Sequence, residues 1–127
     1  MSSTHSSNAD GSGAFGTPGA PGWAERSRAA SNPAISNQAI RDYAHDPHYF
    51  VRVAVAKNPA ATDVLLSLLA ADQSRLVRAS VAFNPNVSLD LFAVLQRDSD
   101  FWVRQAAREN FERVLTGSSA EGTEIAA

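Results

Sequence analysis

Apolar residues recur along this chain in two short stripes within every 26 residues. In residues 60–85 the first stripe consists of Leu65, Leu66 and Leu69. The second stripe consists of Leu76, Val77, Ser80 and Val81. Spacings of one, four and five residues place such side chains on one face of a helix. The pattern therefore predicts two short helices per unit, neither of which can bury its apolar face alone.

The neighbouring units carry both stripes in the same register. The first stripe is formed by Ala39, Ile40 and Tyr43 before this unit, and by Leu91, Phe92 and Leu95 after it. The second is formed by Phe50, Val51, Ala54 and Val55, and by Trp102, Val103, Ala106 and Ala107. We expect stacked units to close one continuous core. The small residues at 54, 80 and 106 predict a close approach of helices, with the Ser80 hydroxyl bonded to the carbonyl four residues earlier.

The last two members of each second stripe lie in a phrase that occurs four times. Its copies are RSRAASNP from Arg26, RVAVAKNP from Arg52, RASVAFNP from Arg78 and RQAARENF from Arg104. A fixed period of this length is typical of helical repeat proteins. We predict an all-α solenoid of about three and a half two-helix repeats. The predicted bounds are a repeat domain at 23–116, made of a half-repeat cap at 23–33 and repeats at 34–59, 60–85 and 86–115.

Helix ends are marked in the same register. The predicted N-caps of the first helices are Ser36, Thr62 and Ser88. The predicted helix-terminating residues are Asn32, Asn58 and Asn84, each of which precedes a proline that disfavours α-helical geometry. A row of ligand-binding asparagines is the alternative. Phe111 replaces the proline in the last copy, so we expect the final helix to continue to about Leu115.

Aspartate and arginine form a second series with the same period. Asp46, Asp72 and Asp98 lie six residues before Arg52, Arg78 and Arg104. Six residues is not a facing interval on one helix. We therefore predict that each arginine bridges to an aspartate or a carbonyl of an adjacent unit and fixes the stagger of the repeats. The alternative is a phosphate-binding row formed by Arg26, Arg52, Arg78 and Arg104.

Composition limits the remaining possibilities. Residues 1–22 hold five of the seven glycines and are predicted to be a disordered leader, as is the tail at 117–127. Neither a signal peptide nor a membrane span is recognisable, so we expect a cytoplasmic protein. The absence of cysteine excludes disulfides, thiolate metal sites and cysteine nucleophiles. Net charge is −2 and ten of eleven basic residues are arginine, which favours fixed hydrogen bonding over diffuse attraction.

Few side chains could carry out chemistry. The only local cluster is His45-Asp46-Pro47-His48, and its proline places it in a turn without a third metal ligand nearby. We interpret both histidines as solvated turn residues and expect no metal and no cofactor. No nucleophile is accompanied by a base and an orienting group, and no glycine-rich phosphate loop occurs. The chain is therefore predicted not to be an enzyme.

Aromatic residues at the start of the second helices are the better functional lead. Tyr49, Arg75 and Phe101 occupy equivalent positions, next to the positions of Phe50, Leu76 and Trp102. Adjacent helical positions diverge by about 100°, so both sets cannot point inward. We predict a partner-binding strip from Tyr49, Arg75 and Phe101, to which Lys57 and Phe83 are added because the copies differ there. Burial against the first helix of a neighbouring unit is the alternative.

The segments VRVAVAKNP, LVRASVAFNP and LLSLLAADQSRLVR resemble the leucine-rich repeat variant family, which is similar to HEAT repeats. The resemblance covers about residues 23 to 115. It implies a right-handed solenoid whose first helices can be 3₁₀, used as a protein interaction surface or as an accessory module. Some relatives carry a cysteine-ligated iron-sulfur cluster, which this chain cannot hold. We expect a monomeric scaffold that binds a protein or peptide, and the alternative is a repeat protein that binds nucleic acid through its arginine row.

Overall fold

The computed structural model describes residues 20–117 of the chain. Within that range the fold is all-α, as predicted, with seven helices and no strand. The helices are α1 (Trp23–Ala30), α2 (Asn37–Tyr43), α3 (Tyr49–Lys57), α4 (Asp63–Leu69), α5 (Arg75–Ala82), α6 (Leu89–Leu95) and α7 (Phe101–Leu115). The predicted disordered leader and tail lie outside the described residues, apart from residues 20–22 and Gly117.

Hydroxyl side chains start the three short helices α2, α4 and α6, which we call the first helices. Ser36, Thr62 and Ser88 each accept a hydrogen bond from the backbone N–H three residues later, which confirms the predicted N-caps. These helices are α-helical and do not take the 3₁₀ form that the resemblance allows. The four-residue spacing of Leu65 and Leu69 suits the α-helical period, because a 3₁₀ turn would align residues three apart instead.

Helices α1, α3, α5 and α7, which we call the second helices, pack side by side in sequence order. Each first helix contacts the second helix before it and the second helix after it. The centre of the core lies between these helices and contains Val51, Val55, Leu66, Val77 and Val81, all fully buried. Each unit therefore buries its apolar stripes against its neighbours. Within residues 20–117 no helix has the length and apolar character that a bilayer span requires.

The final helix continues past the point where the earlier second helices end. It runs to Leu115, as predicted, because Phe111 replaces the helix-breaking proline. Gly117 then adopts a left-handed φ of 65° and donates its N–H to the Val114 carbonyl. A left-handed glycine after the last turn is the common way to end a helix. Phe111 packs edge-on against the buried Phe92 with ring centroids 5.6 Å apart, whereas Val114 and Leu115 are exposed.

The second stripe is narrower than its sequence pattern indicates. Phe50, Leu76 and Trp102 were predicted to begin its buried face, but they are 41%, 48% and 63% exposed, so that prediction is wrong. The core is centred on the adjacent valine position, which turns these larger side chains toward the edge of the helix layer. The small-residue position behaves as predicted: Ser80 is buried and its Oγ donates to the Leu76 carbonyl at 2.7 Å.

Candidate functional site

The aspartates and arginines join each unit to the next one through paired hydrogen bonds. Arg26 donates from Nε and Nη2 to Asp46 at 2.7 and 2.9 Å. Arg52 makes the same two bonds to Asp72 at 2.7 and 3.1 Å. Arg78 makes them to Asp98 at 2.8 and 3.1 Å. Each partner lies 20 residues ahead in the chain, so these bidentate pairs bridge adjacent units.

The same arginines also bind the backbone of their own unit. Nη1 of Arg52 donates to the Asp46 carbonyl at 2.7 Å, and Nη1 of Arg78 donates to the Asp72 carbonyl at 2.8 Å. Each aspartate in turn accepts the N–H two residues later and so shapes the turn before the next helix. The hydrogen bond to Asp98 raises the pKa of Arg78, although burial opposes this effect. These guanidinium groups are therefore engaged in hydrogen bonds within the fold.

Two of the three asparagines have a further role in joining units. Asn58 Nδ2 donates to the Ala30 and Asn32 carbonyls at 2.8 and 2.9 Å. Asn84 Nδ2 donates to the Ala56 and Asn58 carbonyls at 2.7 and 2.8 Å. Both side chains are buried, whereas Asn32 is exposed. The buried amides therefore connect the end of one second helix to the end of the previous one by hydrogen bonds. They also lie at the helix ends, as predicted for these asparagines.

His48 is not the solvated turn residue that the sequence indicates. Its ring stacks on Trp23 with centroids 4.5 Å apart, and its Nδ1 accepts the Phe50 N–H at 3.1 Å as the cap of α3. Trp23 packs on Phe50 as well, at 5.5 Å. His45 is exposed, with Nδ1 3.2 Å from the Arg41 carbonyl. In the described part of the chain no group of three acidic or histidine side chains could hold a metal ion.

The three residues of the predicted strip, Tyr49, Arg75 and Phe101, are all exposed. Tyr49 lies against Phe50, with ring centroids 4.6 Å apart, and Phe101 meets Trp102 edge-on at 5.1 Å. Between them, Arg75 forms an exposed ion pair with Asp100 at 3.2 Å. Burial alone would raise the pKa of Asp100, but hydrogen bonds from Arg75 and from the Trp102 and Val103 N–H groups outweigh it, so this pKa is lowered.

Two shallow cavities open on one side of the second helices. The first is about 390 Å³ and lies between α1 and α3. Its lining residues are Trp23, Ser27, Ser31, Phe50, Val53, Ala54 and Lys57. The second is about 310 Å³ and lies between α5 and α7. Its lining residues are Ala79, Phe83, Trp102, Gln105, Ala106 and Glu109.

We call the residues that line these two cavities the open face. Lys57 and Phe83, predicted from differences between the copies, both belong to it, whereas Tyr49, Arg75 and Phe101 do not line either cavity. Sequence reasoning missed Phe50 and Trp102 because it assigned them to the core. A signal was present in the repeat, since the position after them is valine in three units, whereas their own position varies between phenylalanine, leucine and tryptophan.

The chain was also compared with known proteins. It matched no protein-family model, no curated protein and no solved structure. The candidate site is therefore defined by the geometry of the chain itself.

Proposed function

We propose that this chain is a non-catalytic adaptor that binds a protein or peptide partner on its open face. The proposal includes a right-handed solenoid of about three and a half two-helix repeats, of the leucine-rich repeat variant type. Contacts that recur with the sequence period support the repeat arrangement, because bidentate arginine–aspartate pairs span 20 residues and asparagine–carbonyl bonds span 26 residues. We further propose that the adaptor is monomeric, cytoplasmic and free of cofactors.

The observation that carries the binding proposal is the pair of exposed aromatic rings over the second cavity. Phe83 is 48% exposed and Trp102 is 63% exposed, and both line the same space of about 310 Å³. Ala79 and Ala106 line the same cavity, and their small side chains leave room for an incoming side chain. Large aromatic side chains around a small recess are typical anchors of protein interfaces.

Polar groups at the two cavities would orient a partner. Lys57 lines the first cavity and Glu109 lines the second, at equivalent positions two units apart. A bound segment that carries an acidic group at one end and a basic group at the other would match both charges. The apolar rings would supply most of the affinity, because exposed charge pairs contribute little by themselves.

The nucleic-acid alternative finds less support in the geometry. It requires Arg26, Arg52, Arg78 and Arg104 to contact phosphates, but the first three already donate to aspartates through two atoms each. Titration of the chain with duplex and single-stranded nucleic acid at low salt separates the two functions. Binding that weakens steeply with salt would favour the alternative, and the adaptor proposal predicts no such binding.

Site-specific photo-crosslinking tests the adaptor proposal. A photoreactive amino acid at Glu109 should capture a partner in cells, and the same group at the exposed Asp90 on α6 should not. Combining the photoreactive group at position 109 with Phe83→Ala and Trp102→Ala should abolish the capture. The matched control is Val64→Ala with Leu89→Ala, which also removes two large exposed apolar side chains but lies outside the open face. Equal loss in both double variants would contradict the proposal.

A further inference from the structure

Arg104 is the one arginine of the repeated phrase that has no aspartate partner within the described residues. Its Nη1 donates to the Asp98 carbonyl at 2.9 Å, in the way that Arg52 and Arg78 bind their own units. Its Nε and Nη2, which hold a carboxylate in every earlier copy, have no carboxylate partner in residues 20–117. The Phe101 ring lies 5.9 Å below the guanidinium and supports it from one side.

A second arginine lies one turn further along the same face of α7. Arg108 occupies the position of Ala30, Ala56 and Ala82, all of which are buried between adjacent units. Arg108 is exposed, with one contact to the Gln105 side chain at 3.0 Å. Residues four apart on a helix face the same way. The outer face of α7 therefore presents two guanidinium groups where an inner unit would present one arginine and a closely packed alanine.

The chain that follows α7 has the charge and length to reach these groups. Residues 114–127 contain Glu121 and Glu124 and no basic residue, and Glu124 lies 20 residues after Arg104, the spacing of every earlier pair. The 12 residues of helix from Arg104 to Thr116 rise about 18 Å. The eight residues from Thr116 to Glu124 can span about 26 Å when extended. Gly117 ends the helix in a left-handed conformation, which lets the chain reverse there.

We propose that Arg104 and Arg108 form a carboxylate-binding site, and that Glu124 of the same chain occupies it with Glu121 beside Arg108. In the Arg104–Glu124 pair, Glu124 takes the place of the aspartate that the earlier units supply. The segment that carries Glu124 then covers the outer face of α7. A second copy stacked on α7 through its first unit would place its residue 20 opposite Arg104, because residue 20 lies one period before Asp46. Residue 20 is alanine, so a second copy does not supply a carboxylate in this register. The proposal does not depend on what binds the open face.

A spin label tests the proposal directly, because the chain has no cysteine and Ala126→Cys would carry one label only. In the full chain, the label should broaden the Nε–H resonances of Arg104 and Arg108 and reduce their intensity. Glu121→Gln with Glu124→Gln should restore the intensity. Glu112→Gln, which removes an exposed carboxylate of α7 itself, should leave the broadening unchanged. High salt should also relieve it, since exposed ion pairs are screened.

The other outcomes each overturn the proposal. If the label broadens neither arginine resonance in the free chain, Glu124 does not occupy the site, and any carboxylate bound there must come from another protein. If the broadening persists in the double glutamine variant, the carboxylates are not what holds the segment. A mixture of isotope-labelled chains without the spin label and spin-labelled chains without isotope checks for exchange between copies. Broadening in that mixture would assign the carboxylate to a second copy.

Discussion

Replacing Asn84 with alanine should cost far more stability than the same change at Asn32, although both occupy the same position of the repeat. Asn84 is buried and makes three hydrogen bonds that depend on its side chain. Its Nδ2 donates to the Ala56 and Asn58 carbonyls at 2.7 and 2.8 Å, and its Oδ1 accepts the Asn86 N–H at 2.7 Å. Asn32 is exposed, and its Oδ1 accepts the Ala34 N–H at 2.9 Å.

The magnitude follows from the groups that lose their partners. Removing the Asn84 amide leaves the Ala56 carbonyl without this buried donor, and a buried polar group that loses its partner costs about 1–3 kcal/mol. The other two bonds contribute about 0.5–1.5 kcal/mol each. We therefore expect Asn84→Ala to lower the free energy of unfolding by about 2–6 kcal/mol. Water can replace the single exposed bond of Asn32, so Asn32→Ala should cost less than about 1 kcal/mol.

Urea unfolding followed by circular dichroism measures both changes. The denaturation midpoint of Asn84→Ala should fall well below that of Asn32→Ala, with similar slopes if the unfolding remains two-state. Asn84→Asp is a useful third variant, because it keeps the shape but turns a donor into an acceptor facing two carbonyls. It should be at least as destabilised as Asn84→Ala. If Asn84→Ala and Asn32→Ala have equal stabilities, the asparagines act only at the helix ends and the bonds between units contribute nothing.

Three further predictions address the core, the ion pairs and the pH dependence. Leu69→Ala should cost about 2–5 kcal/mol in urea unfolding, because the side chain is fully buried, and a loss below about 1 kcal/mol would contradict its place in the core. Asp46→Asn should cost about 3–5 kcal/mol by leaving the buried Arg26 without its carboxylate, whereas Arg75→Ala, at an exposed pair, should cost less than about 1 kcal/mol. Asp100→Asn keeps the helix cap but removes the charge whose pKa is lowered on folding. The stability that this charge contributes is present above its ordinary pKa of 3.8 and is lost as pH falls through the lower folded value. The difference in free energy of unfolding between the unmodified chain and Asp100→Asn, measured at a series of acid pH values, should therefore disappear only below pH 3.8.

The helix pattern was predictable because its determinants are local. The N-caps Ser36, Thr62 and Ser88 act on backbone groups three residues away, and Phe111 allows α7 to continue because it lacks the ring constraint of proline. The apolar spacing of four residues likewise belongs to a single helix. The all-α class follows from these short-range features.

The second role of the asparagines could not be predicted from local chemistry. A residue before proline has a sufficient local explanation as a helix end, and nothing in that explanation involves a carbonyl 26 or 28 residues earlier. The partner is brought within reach only by the packing of one second helix against the next. The repetition of the asparagine in register was the available signal, but it is equally consistent with a role in ending the helix and with a role in joining adjacent units.

The outward position of Phe50 and Trp102 also depends on packing between units. A helical stripe predicts which side chains share a face, but not how wide a sector the neighbouring helices cover. In this fold the covered sector is centred on Val51 and Val103, which leaves the preceding aromatic residue at its edge. Among the residues of the open face, only Ala54 and Ala106 are buried. The open face therefore became visible only when the helix layer was assembled.

The most direct test of the adaptor proposal is the affinity of the crosslinked partner for three forms of the full chain, measured by isothermal titration calorimetry. An aromatic anchor contributes about 2 kcal/mol or more, so Trp102→Ala should weaken binding by about 30-fold or more. Val64→Ala, a change of similar exposure on a first helix, should leave the affinity within about twofold of the unmodified chain. If Trp102→Ala binds as tightly as the unmodified chain, the open face is not the binding surface.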